Sequence, residues 1–197
     1  MANAKSFDDS EVLKTALRVF IQKGYSGTSM RNIEKATRLS TGSMYFTFKN
    51  KRELFLKVMD YYIDNVVIGR IDEYIDRTDF FSGVRAYFES TFTNRSYNKC
   101  GCLLTITSAQ SGMDELIMRK VESGFEIIQN KFIEIVKTAQ ERGEIDATKD
   151  PLLIAQHLFT SYQGLLVLVR FCKSDTYLWK ATDAALVYLH PDTIHLT

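Results

Sequence analysis

Apolar residues recur along the chain at three- and four-residue steps from Leu13 to Leu189. That period places them on one face of an α-helix, and no segment reads as a strand. Leu13, Ala16, Leu17 and Phe20 open the series, with Asp8 and Glu11 spaced as a capping box ahead of them and Gly24 as the stop. Ile33 and Ala36 then predict the inner face of a short second helix, Leu39 the closing of a tight turn, and Met44 the inner face of a third. Leu54, Phe55, Val58, Tyr62, Val66 and Ile71 mark one long helix over about 51–75. Further helical patterns cover about 80–94, 102–111, 114–141, 151–172 and 175–189. The expected fold class is all-α. A three-helix head with a helix-turn-helix, over residues 1–50, is expected to be followed by a larger helical body over residues 51–197.

Two of the body helices carry distinct patterns. Ile117, Val121, Phe125, Ile128, Phe132 and Ile135 form a single stripe that ends at Arg142-Gly143, as expected of a helix with one buried face. Asp150-Pro151 opens the next with a cap and a first-turn proline. Leu152, Leu158, Phe159, Leu165, Leu166 and Val169 cover nearly its whole circumference, so it requires partners on more than one side.

The segment 28–54 carries the functional signal. Ser40 stands at an N-cap position, its hydroxyl able to accept from the backbone N–H of Gly42 or Ser43. The third helix then presents Thr41, Ser43, Tyr45 and Phe46 outward, short hydroxyls first. Such hydroxyls at a helix N-terminus reach phosphate oxygens or base edges, and the helix dipole favours the phosphate. Asn50 and Glu53 are spaced as another capping box, and Lys49, Lys51 and Arg52 cluster beside the reading helix.

This stretch resembles the diagnostic segment of the TetR/AcrR family of bacterial one-component transcriptional regulators, T-x-x-x-I-A-x-x-A-G-V-S-x-G-x-x-Y-x-x-F-x-x-K-x-x-L. Thr28 (one place early), Ile33, Ala36, Leu39, Ser40, Gly42, Tyr45, Phe48, Lys51 and Leu54 fill the pattern, preceded by Ala16, Phe20, Gly24 and Tyr25. The resemblance implies phosphate contacts from Thr28, Tyr45 and Lys51, with Thr41, Ser43 and Phe46 nearest the bases. Ser29, Arg38, Ser40, Gly42 and Lys49 complete the candidate DNA-binding set, whose expected partner is a double-stranded, near-palindromic operator. Two positions depart from the family pattern: Glu34 stands for a small Ala, and Arg38 stands for the turn Gly, where a left-handed conformation costs a non-Gly residue about 1 to 2 kcal/mol.

The same resemblance implies a homodimer built from the last two long helices, where Ala155, Gly164, Ala181, Ala184 and Ala185 are small enough for close packing. It also implies a cavity in the body for a small, largely apolar effector. The abundant aromatics supply candidates: Tyr62, Phe88, Phe92, Phe125 and Tyr162, with Cys102 beside them, and further out Tyr61 and Trp179. The same residues read equally as core packing.

Charge agrees with a DNA-binding head. Residues 1–52 hold ten Lys/Arg against four Asp/Glu, so the total of +1 divides into +6 there and −5 over the remainder. A basic end steers a molecule towards a polyanion, although an ordinary solvated face carries the same imbalance. The length of 197 residues, 45% hydrophobic content, two prolines and ten glycines fit a helical globular chain. The N-terminus shows no apolar leader, and no unbroken apolar run approaches the twenty residues of a spanning helix, so a cytoplasmic protein without a membrane partner is expected.

Three cysteines, Cys100, Cys102 and Cys172, make no even framework, and Cys-x-Cys lacks the spacing of a structural zinc site. Lys99 and a nearby helix start would favour thiolate at Cys100 or Cys102, which leaves an electrophile- or redox-sensing regulator as the alternative; a buried inert thiol is the other reading. His157, His190 and His195 show no catalytic spacing, and no nucleophile elbow or phosphate loop is present, so neither an enzyme nor a metal or cofactor is expected. A helical adaptor using its basic head for protein contacts is the remaining alternative class.

Overall fold

The computed structural model describes residues 8–75, 79–93, 101–172, 174–187 and 189; Lys99, Cys100, His190 and His195 lie outside them. Among the described residues the chain is helical without a strand. The helices are α1 (Asp9–Lys23), α2 (Met30–Thr37), α3 (Thr41–Phe48), α4 (Lys51–Tyr61), a π-helical segment (Tyr62–Ile68), α5 (Gly69–Tyr74), α6 (Phe80–Thr93), α7 (Leu103–Ser108), α8 (Glu115–Glu141), α9 (Pro151–Phe171) and α10 (Asp175–Val187). They form two compact units that do not follow chain order. The first joins residues 1–66 to 103–124, and the second joins 67–102 to 125–197.

In the first unit α1 buries Val12, Ala16, Leu17, Phe20 and Ile21. Phe20 and Tyr25 pack on Phe55 of α4, with ring centres 4.6 and 4.9 Å away. Ile33, Met44, Phe48 and Leu54 are fully enclosed, so each of α2, α3 and α4 contributes to one small core. Residues 103–124 complete this unit. Gly124 lies so close to the neighbouring side chains that an added Cβ would come within 2.9 Å of Ile63 and Leu104, which explains a glycine in the middle of a long helix.

The second unit is built around aromatic rings. Tyr87 and Phe88 of α6, Phe132 of α8 and Tyr162 of α9 are all buried, and Tyr87 stacks on Tyr162 with centres 4.7 Å apart. Ion pairs tie its surface: Arg85 to Asp183 at 2.7 Å and Lys131 to Asp72 at 3.1 Å.

Several local expectations change. Asp8 does cap α1, but it accepts from Ser10 N at 2.9 Å, and Glu11 pairs with Lys14 instead of closing a box. The reciprocal box forms at α2, where Ser29 and Asn32 each hold the other's backbone N–H. Ala36 faces solvent, because Met30 and Ile33 take the buried side of α2. The helix expected over 51–75 runs to Tyr74 with a π-helical stretch in its middle, where each turn takes up extra backbone. Phe125 is half-buried, and Gly124 takes its place in the α8 stripe. Finally, α9 is long and apolar enough by length and composition to cross a membrane, although its apolar residues are interrupted by polar ones.

Candidate nucleic-acid interface

The turn between α2 and α3 is set by backbone geometry. Arg38 adopts the left-handed conformation, φ 59° and ψ 19°, that the usual glycine would take without strain. Ser40 then starts α3, its hydroxyl accepting from Ser43 N at 3.2 Å and lying 3.0 Å from the Ser43 hydroxyl. Met44 and Phe48 point into the core one turn apart. Their burial forces Thr41, Gly42, Tyr45 and Phe46 outward, all exposed, with Ser43 half-buried at the edge. Phe46 is 85% and Tyr45 47% exposed. Two adjacent aromatic side chains are thus left open on the outer side of α3.

The end of α3 carries a second strained residue. Lys49 has φ 58° and ψ −56°, and Asn50 N reaches back to Phe48 O at 2.6 Å, a three-residue γ-turn. Asn50 immediately caps α4, accepting from Glu53 N at 2.9 Å. Arg38 and Lys49 therefore stand exposed at the two ends of α3, both held at positive φ. Backbone strain kept at such positions is a recurrent feature of functional sites.

Thr28 and Lys51 are placed differently from the sequence expectation. Thr28 is 2% exposed and its hydroxyl donates to Gly24 O at 2.7 Å, so it faces the loop interior. Lys51 donates from Nζ to Tyr25 O and to Thr28 O, each at 3.0 Å, and its ammonium lies 4.2 Å from the centre of the Tyr25 ring. Burial lowers the Lys51 pKa and raises that of Tyr25. The Lys51 side chain fastens the α1–α2 loop to α4, and the Thr28 hydroxyl ties that loop to itself. Ser29 is occupied in its capping box with Asn32. The head is further tied within its unit by Ser26 N donating to Gln110 at 3.3 Å and by Arg52 pairing with Asp114 at 3.4 Å.

Two family models match the chain: "Bacterial regulatory proteins, tetR family" over residues 12–58 and "Tetracyclin repressor-like, C-terminal domain" over residues 81–185, the second alone spanning more than half the chain. The chain belongs to the TetR family. As a TetR-family protein it is a DNA-binding transcriptional regulator. It is similar to the HTH-type transcriptional repressor ComR of Escherichia coli (strain K12), 28% identical over 174 residues that cover 84% of this chain and 81% of ComR. It is also similar to YezE of Bacillus subtilis (strain 168), an uncharacterized HTH-type transcriptional regulator, 25% identical over 199 residues covering 96% and 100%. A solved structure of a cysteine mutant of the TetR family regulator CifR, complexed with 26-base-pair operator DNA, shares the fold with a TM-score of 0.80 at 23% identity, covering 93% of this chain and 98% of that one.

The residues expected around an effector divide between the units of this TetR protein. Tyr62 is buried in the first unit; Phe88, Phe92, Cys102, Phe125 and Tyr162 belong to the second. Phe88 lies on Tyr162 at 5.2 Å, Phe125 meets Phe159 at 5.9 Å, and Phe92 meets Trp179 at 6.1 Å. These rings are packed together. Cys102 is 2% exposed, so its thiol is closed off in this conformation and the geometry of a reactive, accessible cysteine is not present there. A cavity of about 310 Å3, open to solvent, lies between α9 and α10 with small residues on its walls: Ser161, Gly164, Ala181, Ala184 and Ala185. Ala155, expected among the small interface residues, is instead fully buried inside its own unit.

Sequence reasoning missed a buried cation in the second unit. Arg70, 6% exposed among the rings of the second unit, drew no notice because a lone arginine in a helical pattern has no spacing to mark it.

Proposed function

We propose that this regulator is a repressor that binds a near-palindromic operator as a homodimer and is released by a small molecule. The observation that carries the reading is the outer surface of α3, where Tyr45 and Phe46 are left exposed between two strained cationic residues. We assign base contact to Phe46, whose ring suits a thymine methyl, and to Thr41 and Ser43. Tyr45, Arg38, Ser40, Gly42 and Lys49 are assigned to the phosphate backbone. Thr28, Ser29 and Lys51 act by holding α2 and α4 in place. The functional division is proposed at residue 50, with DNA contacts from residues 1–50 and effector and dimer contacts from residues 51–197.

The dimer rests on α9 and α10. Leu152, Leu153, Val167, Phe171, Tyr177 and Trp179 are exposed on these two helices, beside the small-walled cavity, and an apolar area of this kind in a DNA-binding protein is covered by a second copy. A dimer of this kind would bury the apolar circumference of α9 without a membrane, and we take the protein to be cytoplasmic, where its DNA is. Two heads then engage half-sites separated by about one helical turn or a multiple of it. An effector releases them only through unequal affinity for the two states of the dimer. Selection of bound fragments from random duplexes tests this: enrichment of a two-fold symmetric sequence supports it, and recovery of unenriched DNA opposes it.

A further inference from the structure

We infer, resting on the ligand-responsive reading above, that the π-helical segment Tyr62–Ile68 is a register switch, and that its exchange between π and α hydrogen bonding carries the response to the head. α4, this segment and α5 form one continuous run over residues 51–74. Its buried residues come in adjacent pairs that recur every four residues from Leu54 and Phe55, through Tyr62 and Ile63, to Arg70 and Ile71. An α-helix turns about 100° per residue, so each such step overshoots a full turn by about 40°, and the pair at Arg70 would stand about 160° round from the pair at Leu54. A uniform α-helix thus turns the later pairs away from the face of the earlier ones. The π-helical turns hold more residues each and take back part of that excess.

Asn65 marks the place where the register changes. In an α-helix the Tyr61 carbonyl takes the backbone N–H of Asn65, four residues on. Here the Asn65 side-chain amide donates to Tyr61 O at 3.2 Å, a side chain set into the ladder. The residues that follow give the α register little advantage: Val66, Val67 and Ile68 are β-branched, and Gly69 is a poor helix former. Asp64 and Asn65 are exposed between two buried pairs, so one residue can be removed there without uncovering the core. Its removal shortens that one step from four residues to three, and the run then keeps the spacing of a regular α-helix. The segment therefore carries one residue more than the α register needs. The division between the two compact units falls inside it, between Val66 and Val67. Exchange of register turns the residues after the segment about the helix axis relative to those before it, and a ligand with unequal affinity for the two registers shifts their populations.

The test uses the full chain and three variants: deletion of Asp64, Asn65→Ala and, as control, Asp64→Ala. Titration with a selected operator duplex is paired with amide hydrogen exchange over residues 62–73. The deletion and Asn65→Ala both favour the α register, so both should shift operator affinity in the same direction, at least tenfold for the deletion and at least threefold for Asn65→Ala. Asp64→Ala should hold the operator like the wild type. Exchange over 62–73 should be at least tenfold slower in the deletion variant than in the wild type, because a continuous α ladder replaces the π bonds. Should the deletion variant fail to fold, the operator affinity of Asn65→Ala decides alone. Unchanged affinity in the folded variants, shifts of opposite sign, or an equal shift in Asp64→Ala overturns the inference, as does wild-type exchange no faster than that of the deletion variant. Failure of the wild type to bind any operator overturns the repressor reading instead, so the two failures are distinguishable.

Discussion

The Lys51 ammonium donates to the Thr28 carbonyl at 3.0 Å, joining the first residue of the fourth helix to the loop that leads into the second. It makes an equal bond to Tyr25 O, so one side chain closes the α1–α2 loop from beneath. We assign a lysine held in this way to the folding of the head and not to its charge contacts. Lys51→Met is expected to destabilise the chain by about 1.5 kcal/mol, the lower end for bonds from a charged donor that is partly exposed. Denaturant unfolding measures that loss. Operator titrations across salt concentrations supply the second readout: Lys49→Gln should flatten the slope of log affinity against log salt by about 0.9 for each of the two half-sites, and Lys51→Met should leave it unchanged.

Arg38 occupies the left-handed turn that glycine fits without strain. Arg38→Gly should raise stability, by about 1 kcal/mol at most, because the strain removed is partly offset by the greater freedom of glycine in the unfolded chain. Operator affinity should fall in the same variant through loss of a cation at the start of α3. A melting experiment and a duplex titration on one protein sample read both effects, and a stabilised variant with undiminished affinity would remove Arg38 from the phosphate-contacting set.

Asp79 caps α6, accepting from Ser82 N at 3.0 Å, and these bonds with Ser82 hold its carboxyl below the ordinary 3.8. A depressed folded-state pKa favours the native state above the ordinary value, and that contribution fades as pH falls from there through the folded value. Asp146 follows the same sign through Thr148. Carboxyl-carbon NMR should therefore place the Asp79 midpoint below 3.8, and Asp79→Asn should make the acid limb of the stability curve shallower. A midpoint at or above the ordinary value would contradict the cap.

Much of the helix content is legible from spacing alone, because burial of one face leaves the three- and four-residue period in α1, α4, α8 and α9. The N-cap at Ser40 and the strain at Arg38 are also legible, since both follow from a residue type at a fixed place in a turn. The Ser29–Asn32 box is not, because Asn stands where Glu or Gln usually marks the pair. The γ-turn at Lys49 depends on how closely Asn50 must follow Phe48 to start the next helix, and no side chain announces it. Whether Thr28 and Lys51 turn inward or outward is decided by the direction of loop carbonyls. The assignment of residues 103–124 to the unit of the head, and the meeting of Arg70 with Tyr87 and Tyr162, arise from contacts between distant segments that a linear pattern does not record.

The central claim is that the outer face of α3 reads base sequence. Phe46 is the residue to change, since its exposure means that Phe46→Ala should alter stability by no more than about 0.5 kcal/mol. The decisive measurement is the affinity of wild type and Phe46→Ala for a selected operator and for a scrambled duplex of equal length, at one salt concentration. The ratio of the two affinities should fall by about 1 to 3 kcal/mol per half-site in the variant, with scrambled-duplex binding retained. An unchanged ratio in a folded Phe46→Ala protein would contradict the account.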